Sequence, residues 1–257
     1  MKLFFTFLML SAFAANAADT KDMNTANNPL TPMLGLNFQD YYSSSLFGSD
    51  KTSNTFLTRG TLPQKIGGLP QITRLTIPYQ NVPRVGDEGV NGFGDINIFD
   101  IFLMKPKNGV EFGIGPYFVF PTATEDETGA GKWQAGASAV AIKPGDWGMM
   151  GALLTYQHSF AGPSERPTQN LATLQPFLIY NLPKSFYVRS SAIMNFNWQN
   201  GHYYIPIGAG AGKVWKLKSG TIMNLFVEPQ WTIAHEGDGQ PNFQTFMGLN
   251  LQFPLGH

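Results

Sequence analysis

The sequence predicts an all-β fold, a transmembrane antiparallel up-and-down β-barrel of about twelve strands with both termini on the periplasmic side. Three observations predict it. Apolar and polar residues alternate along most candidate strands, aromatic residues reach 14% while charged residues are only 13%, and no later apolar run is long enough for a membrane-spanning helix. Because only helices and closed barrels satisfy their backbone hydrogen bonds in a bilayer, an exported chain of this composition is expected to form a barrel.

Residues 1–17 have the organisation of a cleaved signal peptide. Lys2 gives a positive start, residues 3–14 are almost entirely apolar, and Ala15-Asn16-Ala17 is the small-x-small pattern that precedes cleavage. About a dozen apolar residues fall well short of the ~20 that span a bilayer, so a membrane anchor is the weaker interpretation. We expect cleavage before Ala18 and a destination in the bacterial outer membrane.

The composition argues against other classes of protein. Seventeen basic and seventeen acidic residues leave no net charge, so nothing indicates a nucleic-acid partner. The chain has no cysteine, whereas a periplasmic enzyme would often carry a disulfide. Charged residues are half as frequent as the ~25% of soluble domains. The expected surroundings are outer-membrane lipid and lipopolysaccharide.

The rest of the chain divides into three predicted parts. Residues 18–32 are polar and predict a periplasmic segment, either disordered or folded into the mouth of the barrel. Residues 33–253 form the predicted barrel, and residues 254–257 form a short C-terminal overhang. We expect Phe253 to be the terminal aromatic residue that the barrel-insertion machinery recognises.

Period-two alternation identifies the individual strands. The last strand is the clearest, because one set of alternate residues is largely apolar and the other is mostly polar or small. The set expected to face lipid is Phe243, Thr245, Met247, Leu249, Leu251 and Phe253. The predicted strands are 33–42, 54–62, 70–79, 95–105, 109–120, 132–143, 147–160, 172–181, 186–199, 203–216, 220–235 and 242–253.

The connections alternate in length, which indicates the topology. Short turns such as Lys143-Pro144-Gly145-Asp146 are rich in the residues that supply turn dihedral angles. Longer polar loops, such as 122–131 and 161–171, come between them. Outer-membrane barrels have short periplasmic turns and longer extracellular loops, so an even number of strands places both termini in the periplasm.

Prolines and glycines within the strands call for explanation. Proline is unusual in a central strand because it lacks an N–H donor. Bulges, or positions that tolerate the missing donor, are both compatible with a barrel. The prolines concerned are Pro116, Pro176, Pro206 and Pro229. Gly208, Gly210 and Gly212 are expected to line a crowded inner wall, where small residues let other groups approach.

Six motifs, in order along the chain, resemble a known family. They are Gly92-Phe93-Gly94-Asp95-Ile96, Gly115-Pro116-Tyr117-Phe118-Val119-Phe120-Pro121-Thr122-Ala123-Thr124, Gly131-Lys132-Trp133, Ser159-Phe160-Ala161-Gly162, Leu174-Gln175-Pro176-Phe177-Leu178-Ile179-Tyr180-Asn181-Leu182-Pro183 and Pro206-Ile207-Gly208-Ala209-Gly210-Ala211-Gly212-Lys213-Val214. Together they resemble the bacterial outer-membrane "MetA-pathway of phenol degradation" family, whose members are often labelled neuromedin U or transporter. The resemblance implies a barrel that passes small, including aromatic, compounds. The chain departs from the family at residues 184–186 and at Ala209.

Polar residues on the strands predict the lining of the lumen. A basic residue facing lipid near the midplane costs a few kcal/mol, so an inward orientation is favoured. A network of paired charges that fills a narrow lumen and a pore lining that selects solutes both remain open. The predicted lining residues are Arg59, Arg74, Asp95, Glu111, Gln175, Arg189, Asn195, Asn197, Lys213, Asn224, Glu228 and Gln230.

Catalysis and metal binding receive little support from the sequence. His158 and Ser159 are adjacent on one predicted strand, so their side chains point to opposite faces and do not form a catalytic pair. The remaining histidines lack the clustered ligands of a metal site. Residues 125–127 are an acidic run that is typical of a solvated loop tip. No catalytic residue, metal or cofactor is therefore predicted.

The favoured function is an outer-membrane channel or transporter for small compounds, hydrophobic or aromatic ones included. A structural or adhesion barrel that acts through its extracellular loops is the alternative. A lipid-modifying enzyme of the outer membrane is a third hypothesis, and the sequence favours it least.

Overall fold

The structure, a computed structural model, describes residues 16–83 and 89–255. Residues 1–15 of the predicted signal peptide and the last two residues of the predicted overhang lie outside this part. Helix α1 spans Thr20–Asn27, and among the described residues no helix is long and apolar enough to cross a membrane. The strands are β1 Asn16–Ala17, β2 Leu34–Leu46, β3 Ser53–Ile66, β4 Leu69–Val82, β5 Val90–Phe93, β6 Asn97–Leu103, β7 Glu111–Val119, β8 Trp133–Gly145, β9 Gly148–Ala161, β10 Asn170–Asn181, β11 Phe186–Ser190, β12 Met194–Asn197, β13 Tyr203–Gly208, β14 Gly210–Lys216, β15 Ile222–Glu236 and β16 Pro241–Phe253.

Strands β2–β16 form one closed antiparallel barrel of twelve strands, and the two-residue β1 pairs with β14. Three barrel strands are interrupted, so β5 with β6, β11 with β12 and β13 with β14 each follow one another along a single strand. Strand β16 pairs with β2 from Phe253↔Leu34 to Pro241↔Leu46, which closes the sheet on itself. The predicted antiparallel β-barrel of about twelve strands is confirmed. Closure removes the exposed strand edges that a bilayer does not tolerate.

The predicted strand boundaries lie close to the observed ones, with most differences on the loop side. Strand β2 continues to Leu46, four residues beyond its prediction, and the strand predicted to start at Asp95 begins at Val90. The extra residues belong to pairings between neighbouring strands, such as Val82↔Val90. Alternation of apolar residues fades there because these segments leave the region that contacts lipid.

The two faces of the barrel follow the predicted alternation. In β16, Phe246 is 2% exposed and points inward, whereas its neighbour Met247 is 38% exposed on the outer surface. In β15, Asn224 and Glu228 are buried and Leu225 and Val227 are exposed. The outer surface is apolar and carries exposed aromatic rings near the ends of its strands, including Tyr79, Phe93, Trp133, Phe160, Trp198 and Trp231. This is the distribution expected of a surface in contact with lipid.

Short turns and long loops lie at opposite ends of the barrel. At the turn end, Gly67 and Gly68 have positive φ and connect β3 to β4 in two residues. The loop end carries the long connections, such as the thirteen-residue segment 120–132 between β7 and β8. Leu34 pairs with Phe253, so the barrel begins and ends at the turn end.

The strand prolines occupy both kinds of position that the sequence allows, a bulge and a position that tolerates the missing N–H donor. Pro206 lies at a shift of register between β13 and β15, which is a bulge. Pro116 and Pro229 stay in regular pairing, opposite Ala137 and Thr245. Pro176 lies in β10 across from the interruption between β11 and β12, where its missing N–H has no ladder partner to lose.

Helix α1 lies inside the turn end of the barrel. Asp19 and Asp22 form a capping box, in which each carboxylate accepts a hydrogen bond from the other residue's backbone N–H. Met23 and Ala26 are each 3% exposed and belong to the buried apolar cluster that includes Ile142. The segment that precedes the barrel is therefore packed against the inner wall.

Candidate functional site

The centre of the lumen holds a buried carboxylate, Glu228, which is 0% exposed. Its Oε2 lies 2.8 Å from Arg189 Nε and accepts a hydrogen bond from Ser191 Oγ at 2.7 Å. Its Oε1 accepts from Ser191 N at 2.8 Å and from Gln230 Nε2 at 2.9 Å. Four donors thus satisfy one carboxylate, which is the condition under which a buried charge is tolerated.

Ser191 N reaches Glu228 because the barrel wall is interrupted there. Residues 191–193 make no ladder pairs with β10 or with β13. Gln175 Nε2 instead donates to Ser191 O at 3.0 Å. Side chains of the adjacent β10 and of β15, which is two strands away, therefore replace the backbone partners that the interrupted strand lacks.

Glycines on β13 and β14 make room for this cluster. A Cβ atom added at Gly208 would approach Glu228 closer than 3.0 Å, and one at Gly212 would approach Tyr187 equally closely. Tyr187 is fully buried and donates to Asn224 Oδ1 at 2.6 Å. The prediction that these glycines line a crowded inner wall is confirmed.

Aromatic rings surround the Arg189 guanidinium. Its Cζ lies 3.7 Å from the ring centroid of Phe226 and 5.2 Å from that of Phe246. Tyr41 stacks on Phe246 with centroids 4.2 Å apart. Cation–π attraction adds to the ion pair with Glu228 and fixes Arg189 in place.

Two further arginines, Arg59 on β3 and Arg74 on β4, also point into the lumen. Arg59 Nη1 donates to Gln39 Oε1, and Gln39 Nε2 donates to Asn250 Oδ1 at 3.1 Å. The guanidinium of Arg74 lies 4.2 Å above the ring of Phe99. Among the described residues, neither arginine forms a salt bridge with a carboxylate.

A cavity of about 150 Å³ lies between these arginines and α1. Arg59, Arg74 and Arg189 contribute to its wall, together with polar groups such as Gln175 and Asn250. The described part of the lumen therefore contains unfilled space beside its packed side chains, and this cavity is the candidate functional site.

Helix α1 and the residues after it close the cavity toward the turn end. Asn224 Nδ2 donates to Ala26 O at 3.2 Å, and Gln252 Nε2 donates to Thr25 O at 3.0 Å. Asn28 Nδ2 donates to Glu111 Oε2 at 2.8 Å. These hydrogen bonds add to the apolar packing of Met23 and Ala26 against the inner wall.

The loop of residues 120–132 folds inward at the other end. Asp95 accepts from Ala130 N at 2.7 Å and from Ala123 N at 3.1 Å. Gln80, on the inner face of β4, donates to Thr128 O at 3.2 Å, and Thr128 is 2% exposed. The loop narrows the loop end of the lumen.

The predicted lining residues lie in three regions: the cavity wall, the buried inner wall beside it and the two ends of the barrel. Arg59, Arg74, Gln175 and Arg189 line the cavity, and Glu228 contacts Arg189 from the buried inner wall. Asn224 holds α1 and Gln230 holds Glu228. Glu111 faces α1 at the turn end, while Asn195 and Asn197 lie on β12 toward the loop end and bond to nearby backbone, at Ile193 O and Gln199 N.

Two of those predictions need correction. Lys213 lies on the outer face, opposite Leu225 and Phe186, with its Nζ 4.5 Å from the centroid of the Phe186 ring. It lies three residues before the turn end of β14, from where a long side chain can cover apolar surface and extend its charge toward water. Asp95 lies in the link between β5 and β6 and not on a strand, and both its carboxylate oxygens accept backbone N–H groups of the inward loop, so it holds this loop and presents no free charge to the lumen.

Sequence reasoning missed several residues of the site. Gln39 and Tyr41 lie on the inner face of β2, and Ser191 supplies two of the donors to Glu228. Ser191 belonged to the polar set of its strand, which was an available signal. The face of β2 was not assigned, because its apolar and polar residues alternate less regularly.

The candidate catalytic residues do not meet. His158 is exposed on the outer surface, and Ser159 Oγ accepts a hydrogen bond from Gln169 N at 3.0 Å. In the part of the chain that the structure describes, no three potential metal ligands cluster together.

Comparisons with known proteins agree with this geometry. The chain matches no family model and no curated protein in sequence. It is similar in structure to the COG4313 outer membrane channel from Pseudomonas putida F1, with a TM-score of 0.61 and 13% identity over 86% of this chain and 96% of that one. The β domain of the Bordetella autotransporter Brka matches at a TM-score of 0.44 and 13% identity, over 86% of this chain and 100% of that one. The fold is that of an outer-membrane β-barrel.

Proposed function

We propose that the protein is a channel or transporter of the bacterial outer membrane that passes small compounds through its lumen. The cavity beside Arg59 and Arg74 is the observation that carries the proposal. Neither arginine has an acidic partner in the part of the chain that the structure describes. A barrel with a purely structural role has no need of such cations around a cavity, because burying charge is unfavourable. The similarity to an outer membrane channel supports the same reading.

The proposal includes the cellular setting. Cleavage after Ala17 would release the chain into the periplasm of a Gram-negative cell, and the barrel-insertion machinery would then place it among outer-membrane lipid and lipopolysaccharide. Both termini, α1 and the short turns would face the periplasm. We also propose that the chain is a member of the "MetA-pathway of phenol degradation" family and that its solutes are small hydrophobic or aromatic compounds. The proposal does not include a catalytic role.

Passage of a solute requires movement of α1 or of the loop 120–132, because these segments narrow the two ends of the lumen. Polar contacts hold both segments, including Gln252 to Thr25 and Asp95 to Ala130. Local opening of such segments is a low-energy motion compared with unfolding of the barrel.

Conductance measurements test the proposal directly. The full chain is folded into planar lipid bilayers and single-channel currents are recorded, and solute entry is followed by swelling of proteoliposomes. We expect discrete current steps and faster swelling than in protein-free liposomes. A barrel that stays electrically silent and excludes every small solute contradicts the proposal.

A structural or adhesion role through the loops is the second candidate. The observation that favours it is the ordered arrangement of the loop 120–132, where Arg166 donates to the carbonyl oxygens of Asp126, Gly129 and Ala130. Replacement of residues 122–131 and 161–171 by short turns is the test. Under this role, replacement abolishes cell adhesion while the shortened barrel remains folded in the membrane.

A further inference from the structure

The lumen carries an excess of positive charge at the level of the cavity. Three arginines reach its wall, and the neighbouring carboxylate of Glu228 is occupied by Arg189, Ser191 and Gln230. Arg59 and Arg74 are left without an acidic partner among the described residues. Buried cations are normally paired, so this arrangement is incomplete without an anion.

Unused hydrogen-bond donors point to the same place. The Nε atoms of Arg59 and Arg74 are buried and have no hydrogen-bond partner among residues 16–83 and 89–255. Arg59 is opposite Thr76 and Arg74 is opposite Thr61 in the β3–β4 ladder, so the two arginines are diagonal neighbours on one inner face. Two guanidinium groups in this arrangement match the oxygens of a carboxylate, which arginine binds with paired hydrogen bonds.

The rest of the cavity wall is apolar in part. Phe99, Phe177 and Phe246 line it, with Ile72 and Leu153. A cavity of this size, about 150 Å³, matches the engineered cavity of about 150 Å³ that binds benzene in another protein. The wall therefore offers apolar surface for a body about as large as one aromatic ring, next to the two cations.

We propose that this cavity binds a small monocarboxylate with an apolar body of about the size of a benzene ring. The carboxylate lies between Arg59 and Arg74, and the body lies against Phe99 and Phe246. That this ligand is also transported rests on the proposed transport function. Binding itself requires no conduction.

Calorimetric titration of the full chain in detergent micelles tests the site, with benzoate as the probe. Acetate keeps the charge without the ring, and benzyl alcohol keeps the ring without the charge. Inorganic phosphate tests for a site that takes any oxyanion. We expect benzoate to bind and the other three to bind at least about tenfold more weakly, since each lacks one class of contact.

Variants assign the charge to named residues. Arg74→Gln and, separately, Arg59→Gln should each weaken benzoate binding about 10- to 100-fold, the effect of losing a charged hydrogen-bond pair. Lys213→Gln removes a cation from the outer face and should leave binding unchanged. Removing an unpaired buried cation is not expected to harm folding, and heat-modifiable gel migration verifies that each variant is a folded barrel.

The outcomes separate the site from the channel. Equal binding of benzoate and benzyl alcohol, equal binding of benzoate and phosphate, or unchanged affinity in both arginine variants overturns the site. Absence of benzoate binding in a barrel that conducts overturns the site and leaves the channel function intact. Benzoate binding by a barrel that never conducts supports the site and contradicts the transport function.

Discussion

Arg189 and Glu228 form an ion pair inside the barrel, with Nε and Oε2 2.8 Å apart and side-chain exposures of 8% and 0%. The pair connects β11 to β15 across the interrupted part of the wall. Glu228 also accepts from Ser191 N, so its carboxylate replaces a backbone partner of the broken strand. The pair is accordingly part of the wall as well as of the lumen.

Replacement of Glu228 by glutamine should therefore destabilise the barrel. Glu228→Gln leaves the Arg189 charge buried without a counter-charge, and we expect the free energy of unfolding to fall by about 3–5 kcal/mol. Urea unfolding of the protein in lipid vesicles measures it.

The double variant Arg189→Met with Glu228→Gln provides the control. It removes both charges, so much of the lost stability should return. Equal unfolding free energies in the single and double variants would show that an unpaired Arg189 is not the cause.

Gly212 should not tolerate a methyl group. Gly212→Ala places a Cβ against Tyr187, whose hydroxyl bonds Asn224, which in turn holds α1. We expect a loss of about 1–3 kcal/mol in the free energy of unfolding from overpacking. Gly60→Ala is the matched control, because a Cβ at Gly60 meets nothing within 4 Å, and its effect should be near zero. Equal effects of the two substitutions would contradict the crowding argument.

Asp95 should hold the loop 120–132 inside the barrel. Asp95→Asn keeps one acceptor oxygen where two accept backbone N–H groups, and a hydrogen bond to a charged group contributes about 1.5–3 kcal/mol. We expect faster cleavage by a glutamate-specific protease at Glu125 and Glu127 in the variant. Asp50→Asn, in an exposed loop position, is the control and should leave the cleavage rate unchanged. Protection that is equal in both variants argues against the anchoring role.

The sequence could predict the barrel because strand pleating places alternate residues on opposite faces, and one of those faces meets lipid. That rule correctly placed Phe246 inside and Met247 outside. It could not predict the interruption at residues 191–193, since the partner of Ser191 N is a side chain 37 positions away.

The predictions for Lys213 and Asp95 differ from the structure for different physical reasons. The sequence predicts an inward Lys213 because charge is unfavourable in lipid, but three residues before the end of β14 its long side chain extends along Phe186 and Trp215. Asp95 was assigned to a strand, whereas it lies in the link between β5 and β6. The lack of an acidic partner for Arg59 and Arg74 among the described residues is a property of tertiary packing, which alternation alone does not describe.

Helix α1 should control access to the lumen from the turn end. Asn24 Oδ1 lies 2.9 Å from Asn181 Nδ2, which joins α1 to the end of β10. The chain has no cysteine, so Asn24→Cys with Asn181→Cys introduces one defined pair at a position where side chains already meet. The oxidised double variant holds α1 against the wall, and we expect its single-channel current in planar bilayers to be abolished. Reduction should restore it, because the disulfide is the only constraint added. Each single-cysteine variant is the control and should conduct equally before and after reduction, and gel mobility or intact mass reports the fraction cross-linked. Undiminished current through a fully cross-linked barrel would show that solutes pass without displacement of α1, and the loop 120–132 would then be the segment that has to move.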